Sequence, residues 1–83
     1  MKYQYRTSGT CSRVIEFEVN DGIVSSVVFY GGCAGNLQGI ARLVEGMPVL
    51  EVVSRLKGIK CGFKPTSCPD QLAQALLQVV DQA

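Results

Sequence analysis

Arg13-Val14-Ile15-Glu16-Phe17-Glu18-Val19-Asn20-Asp21-Gly22-Ile23-Val24-Ser25-Ser26-Val27-Val28-Phe29-Tyr30 is the stretch that decides the fold. From Arg13 to Asn20 apolar and polar residues alternate. Ile15, Phe17 and Val19 fall on one side, Glu16 and Glu18 on the other. A period of two belongs to a strand with one buried face. Asn20-Asp21-Gly22 supplies a tight turn, because Gly22 tolerates positive φ. Ile23 to Tyr30 is rich in β-branched and aromatic residues and reads as the returning strand.

Toward the N-terminus, Tyr3 and Tyr5 alternate with Lys2, Gln4 and Arg6, which predicts a short first strand. Thr7-Ser8-Gly9-Thr10 forms the turn between them. Toward the C-terminus, Gly31-Gly32 ends the hairpin and the period changes to 3.6. Leu37, Ile40, Ala41 and Val44 fall at i, i+3, i+4 and i+7, one face of a helix, with Gly46 as its stop. Pro48 suits a first helical position, and Val49, Val52, Val53 and Leu56 repeat the helical spacing up to Gly58. Ile59 to Pro65 is a connector. The last helix opens with Ser67 or Cys68 as N-cap, Pro69 near the first position and Asp70 in the first turn. Leu72, Ala75, Leu76 and Val79 form its core face. Strands come first and helices after, so the expected class is α+β: a three-stranded antiparallel sheet followed by about three helices packed on it. There is no linker, repeat or low-complexity tract, and residues 1–83 read as one domain.

Composition narrows the function. The chain has 83 residues, of which Leu, Ile, Val and Phe make up 25. That apolar share is above the level of disordered chains. The length suits one small core, not a large catalytic barrel or a two-domain dehydrogenase. Net charge is +1, so no basic field draws nucleic acid, and none is expected as a partner. No apolar run approaches a membrane span, and Met1-Lys2-Tyr3-Gln4-Tyr5-Arg6 has no apolar signal core. The expectation is therefore a cytoplasmic protein with reduced thiols. Dimerisation is a further expectation for so small a chain with 47% hydrophobic residues.

There are four cysteines and no histidine, which leaves thiols as the most capable functional groups. Cys11 precedes the second strand, Cys33 follows the third, Cys61 lies in the connector and Cys68 opens the last helix. All four stand at element ends, where they can converge on one rim of the sheet. Cys33 and Cys68 stand at helix N-termini, which stabilise a thiolate. The gaps of 21, 27 and 6 residues contain no Cys-x-x-Cys pair, so spacing leaves open a plain packing role. Gly31-Gly32-Cys33-Ala34-Gly35-Asn36 has the look of a phosphate-cradling turn. It lacks Gly-x-Gly-x-x-Gly spacing and a phosphate-binding Lys, so sharp turning is the simpler explanation. Asp70, Asn36 and Arg13 stand close enough in sequence to support the thiols from a second layer. Asp70 has a plainer role as helix cap and Arg13 as an exposed strand residue.

Thr66-Ser67-Cys68-Pro69-Asp70, followed by Gln71-Leu72-Ala73, resembles the motif that names the TSCPD domain family. Gly31-Gly32-Cys33-Ala34-Gly35-Asn36-Leu37 and Leu56-Lys57-Gly58-Ile59-Lys60-Cys61-Gly62 are similar to that family too. The family occurs as small stand-alone proteins and near the C-terminus of adenosylcobalamin-dependent ribonucleotide reductases. The resemblance therefore implies an association with ribonucleotide reduction and DNA synthesis, and it does not establish an activity of the domain's own. A fainter likeness is to iron–sulfur cluster scaffolds of the NifU/IscU type, with Cys11, Cys33 and Cys68 matching their ligand positions. Arg13 stands where those scaffolds carry Asp, and Ser67 where they carry His. Cys61 is the available fourth sulfur.

Three functions remain open on these residues. Cys11, Cys33, Cys61 and Cys68 can hold zinc or an iron–sulfur cluster, since a soft thiolate set suits both. Cys61 and Cys68 can act as a redox dithiol serving a ribonucleotide reductase. The domain can also be an interaction or ligand-binding module whose cysteines only pack.

Overall fold

The hairpin forms at the turn its residues select. In this computed structural model β2 (Ser12–Asn20) and β3 (Ile23–Gly31) pair antiparallel across Asp21 and Gly22. Both turn residues have positive φ, 53° and 77°. That is the arrangement whose twist matches the flanking strands. The structure describes residues 2–7, 12–31, 34–60, 62 and 66–82, and only the backbone of residues 12, 13, 34, 81 and 82. β1 (Lys2–Arg6) adds to the other side of β2, giving the order β1-β2-β3.

The register places Tyr3 opposite Phe17 and Tyr5 opposite Ile15. The Tyr3 and Phe17 rings stack with centroids 5.6 Å apart. Ile15 and Phe17 are buried, as the alternation of β2 requires. The outer face is polar. Gln4 Nε2 and Tyr30 OH donate to the Glu16 carboxylate at 2.5 and 2.8 Å, tying the three strands together. The Gln4 bond, then the Tyr30 bond, hold the Glu16 carboxyl below its usual range, and the same contact raises the Tyr30 hydroxyl.

β3 is not the regular strand its composition suggests. Glu18 pairs with Ser25 and Glu16 with Val28, so Ser26 and Val27 together oppose Phe17. This is a β-bulge, and Ser26 takes the left-handed conformation at φ 54°. Its amide donates to Glu45 Oε1 at 2.9 Å. The extra residue shifts the phase, so Val24 and Val27, three apart, are both buried.

Three helices follow: α1 (Ala34–Val44), α2 (Val49–Leu56) and α3 (Cys68–Gln82). α1 turns at Glu45 and Gly46, and the segment to α2 then lies along β3. Val24 N donates to Met47 O at 2.9 Å, and Gly46 N to Val24 O at 2.8 Å. Pro48 forms an isolated bridge with Ile23. It is therefore extended (φ −59°, ψ 140°) and caps α2 from outside, where the sequence suggested a first helical position. Val49, Val52 and Val53 of α2 join Leu72, Ala75 and Leu76 of α3, and Val44, in one cluster on Ile15, Phe17, Val24 and Val27. Leu37 is buried outside that cluster, while Ile40 and Val79 are only half-buried. The result is the expected α+β arrangement. Among the described residues no helix is long and apolar enough to cross a membrane.

The turn offers a clean test. A Cβ added at Gly22 meets nothing within 4 Å, so any loss comes from backbone conformation alone. Gly22→Ala is expected to lower stability by about 1–2 kcal/mol, read from the urea midpoint. An unchanged midpoint would contradict the positive-φ turn.

Candidate functional site

The start of α3 is the most polar part of the interior. Thr66, Ser67, Asp70 and Gln71 are all buried, Asp70 being 6% exposed. Ser67 is the N-cap: its Oγ accepts from Asp70 N at 3.2 Å and donates to Ile59 O at 2.7 Å. Between the two caps the sequence allowed, the serine is the one that serves. The cap thus satisfies a helix amide and holds the end of the preceding segment.

Asp70 does more than complement the helix. Its Oδ1 accepts from Gly58 N at 2.7 Å. Its Oδ2 accepts from Gln74 Nε2 at 2.8 Å and from the Thr66 hydroxyl. Gln71 Nε2 donates in turn to Thr66 Oγ1 at 3.0 Å. Gly58 can present its amide here because it leaves α2 at φ +88°, a turn that a glycine makes without strain. Burial by itself pushes the Asp70 carboxyl up. The bonds from Thr66, Gly58 and Gln74 and the nearby Lys57 charge outweigh it and hold the group below the ordinary carboxylate range. No buried side-chain nitrogen or oxygen among the described residues lacks a partner.

The predicted site residues fare differently. Cys68 is the first residue of α3 and is buried, 6% exposed. Asp70 is beside it in the same turn. Asn36 is exposed on α1. Arg13 lies on β2, its side chain outside the described set. Cys11, Cys33 and Cys61 lie outside the described residues. Among the described residues no group of three His, Cys, Asp or Glu side chains stands together to hold a metal. The fold nevertheless brings three pairs of flanking positions together. Ser12 and Gly31 are register partners. Ile59 is bonded to Ser67, and Gly58 to Asp70. Thr66, Gln71 and Gln74 were not singled out from sequence. The spacing of four from Asp70 to Gln74 is a signal that points to Gln74, since the two share a face of α3.

A meander sheet under three helices, with a buried polar clasp at the start of the last, defines a small α+β domain whose distinctive feature is that clasp. The family model for the TSCPD domain matches residues 1–80, and the chain belongs to that family. No curated protein and no solved structure matches it.

The clasp should be sensitive to acid. The folded Asp70 carboxyl titrates below its unfolded value. Its contribution is therefore complete above the unfolded pKa, near 4, and is lost as pH falls through the folded pKa. Asp70→Asn turns a carboxylate oxygen into an N–H₂ group facing the donors of Thr66 and Gln74. It is expected to cost about 1–3 kcal/mol at pH 7 and to flatten the acid limb of the stability profile. Thermal unfolding of both proteins between pH 3 and 7 checks this, and parallel profiles would refute it.

Proposed function

We propose that this domain is a thiolate metal-binding module, with Cys11, Cys33, Cys61 and Cys68 holding zinc or an iron–sulfur cluster. The observation that supports it best is the clasp. Ser67 and Asp70 close the chain between Gly58 and α3, and Cys61 and Cys68 both belong to that closed segment. The pairing of Ser12 with Gly31 does the same for the other two, since Cys11 is one residue and Cys33 two residues from that pair. The donor chemistry fits. Four thiolates and no histidine make a soft set suited to zinc or iron–sulfur ligation. Burial of Cys68 is in keeping with a ligand shielded from water. When bound, zinc contributes structure and a cluster contributes electron transfer. The chain's own part is to deliver the sulfurs from four element ends and to hold the Cys61–Cys68 segment shut. The family's resemblance to a segment of ribonucleotide reductases supports an accessory role beside such an enzyme.

The clasp also favours a second reading, a Cys61–Cys68 dithiol that exchanges electrons with such a reductase. The burial of Cys68 weighs against it, because exchange needs an accessible sulfur. Elemental analysis and an absorption spectrum of anaerobically purified protein decide between them. Near-stoichiometric zinc or iron is expected, with each Cys→Ser variant losing most of it and chelation lowering the unfolding temperature. Folded protein free of metal and indifferent to chelator would sink the proposal. In that case, a reversible disulfide lost in Cys68→Ser would establish the dithiol.

A further inference from the structure

Among the described residues, the outer edge of β3 is covered over only part of its length. Its first half is taken by the α1–α2 segment, through the Val24 bonds to Gly46 and Met47 and the Ile23–Pro48 bridge. Glu45 then caps the Ser26 amide. From Val27 to Gly31 no described residue supplies a hydrogen-bond partner on that edge. An open edge is ordinarily blunted by charge, proline or shortness. Val27-Val28-Phe29-Tyr30 has no charge and no proline, and Val28 and Tyr30 are exposed.

A half-open cleft of about 520 Å³ runs beside this stretch. Val27, Val28 and Phe29 form its strand wall. Side chains alternate between faces, so three consecutive residues line one cleft only where the strand presents its edge. Leu37, Ala41 and Arg42 of α1 form the facing wall, joined by Gln38 and Glu45. The Glu45 carboxylate is engaged by the Ser26 amide. Arg42 makes no ion pair among the described residues, so its guanidinium donors are open to an incoming carboxylate.

We propose that Val27–Gly31 is a strand-addition site for an extended segment of a partner protein that bears an acidic residue reaching Arg42. Main-chain bonds to the β3 edge supply affinity, the apolar walls take one side chain of the segment, and Arg42 selects the acidic one. The molecule already uses this edge in the same manner for its own residues 46–48. Neither the edge nor Arg42 draws on a thiol, so the site does not depend on the thiol reading.

Selection of a random heptapeptide library on the full-length chain tests this, followed by amide chemical-shift mapping with the best binder. Acidic peptides are expected, with shifts confined to Val27–Gly31 and to α1 near Arg42. Slowed amide exchange on the β3 edge should accompany them. Arg42→Glu, at an exposed position that the core does not use, should weaken binding about fivefold or more. Four results would overturn the proposal. These are no enriched peptide, enrichment indifferent to Arg42→Glu, shifts elsewhere on the domain, or a chain that self-associates through the same amides, which would make a second copy the occupant.

Discussion

An ionised carboxylate taken out of water has to be surrounded by donors, and Asp70 draws its donors from three directions. The Thr66 hydroxyl comes from the residue before the cap, the Gly58 amide from the end of α2, and the Gln74 amide from the next turn of α3. Leaving any of these unmade in a buried site is expensive, so the chain between α2 and α3 has little freedom in where it starts and ends. The Ser67–Ile59 bond adds a second tie to the same segment. Because α2 and α3 both carry core residues, fixing their junction also fixes how their apolar faces meet the sheet. The N-terminus of α3 adds a favourable dipole to a carboxylate in its first turn. The polar clasp and the apolar cluster are thus mutually supporting.

The sheet shows a complementary economy. A three-stranded sheet has two edges, and β3 gives part of one to the chain's own α1–α2 segment. The bulge makes this possible. Were Ser26 paired as a regular strand residue, Val27 and Phe29 would fall on the face opposite to Val24 and lose their place against the helices. Glu45 meets the exposed Ser26 amide and so links the bulge to the end of α1. The strain of a left-handed serine is held in place by the packing of Val24 and Val27 on either side of it.

Where periodicity was unbroken, the residues announced the structure. β2 alternates from Ile15 to Val19, and of its inward set Ile15 and Phe17 are buried while Val19 is half-buried. The Asp21-Gly22 turn and the stops at Gly46 and Gly58 follow from local backbone preference. β3 was read correctly as a strand but not as a bulged one. Ser25-Ser26 carries no glycine to mark a left-handed position, and the shift in phase is set by tertiary burial. Pro48 shows the same limit. Its preferred φ serves a helix start and an extended bridge alike, and the neighbouring edge of β3 decides between them.

The site was legible in part for a comparable reason. The motif around Cys68 is compact, so its cap and its Asp could be placed on a helix start from a few adjacent residues. The partners that make Asp70 a hub are Gly58, twelve positions away, and Gln74, one turn further along α3. A glycine amide has no side chain to advertise it, and a glutamine in a helix is ordinarily a surface residue. Their roles appear only when α2 and α3 are brought together. The same geometry bears on the thiols. The described core gathers its apolar residues from the sheet and all three helices, and Cys68 is buried at the start of α3. The clasp at Asp70 likewise closes through oxygen and nitrogen alone. Cys68 thus belongs to a turn whose backbone is fixed by the contacts of Ser67 with Ile59 and of Asp70 with Gly58.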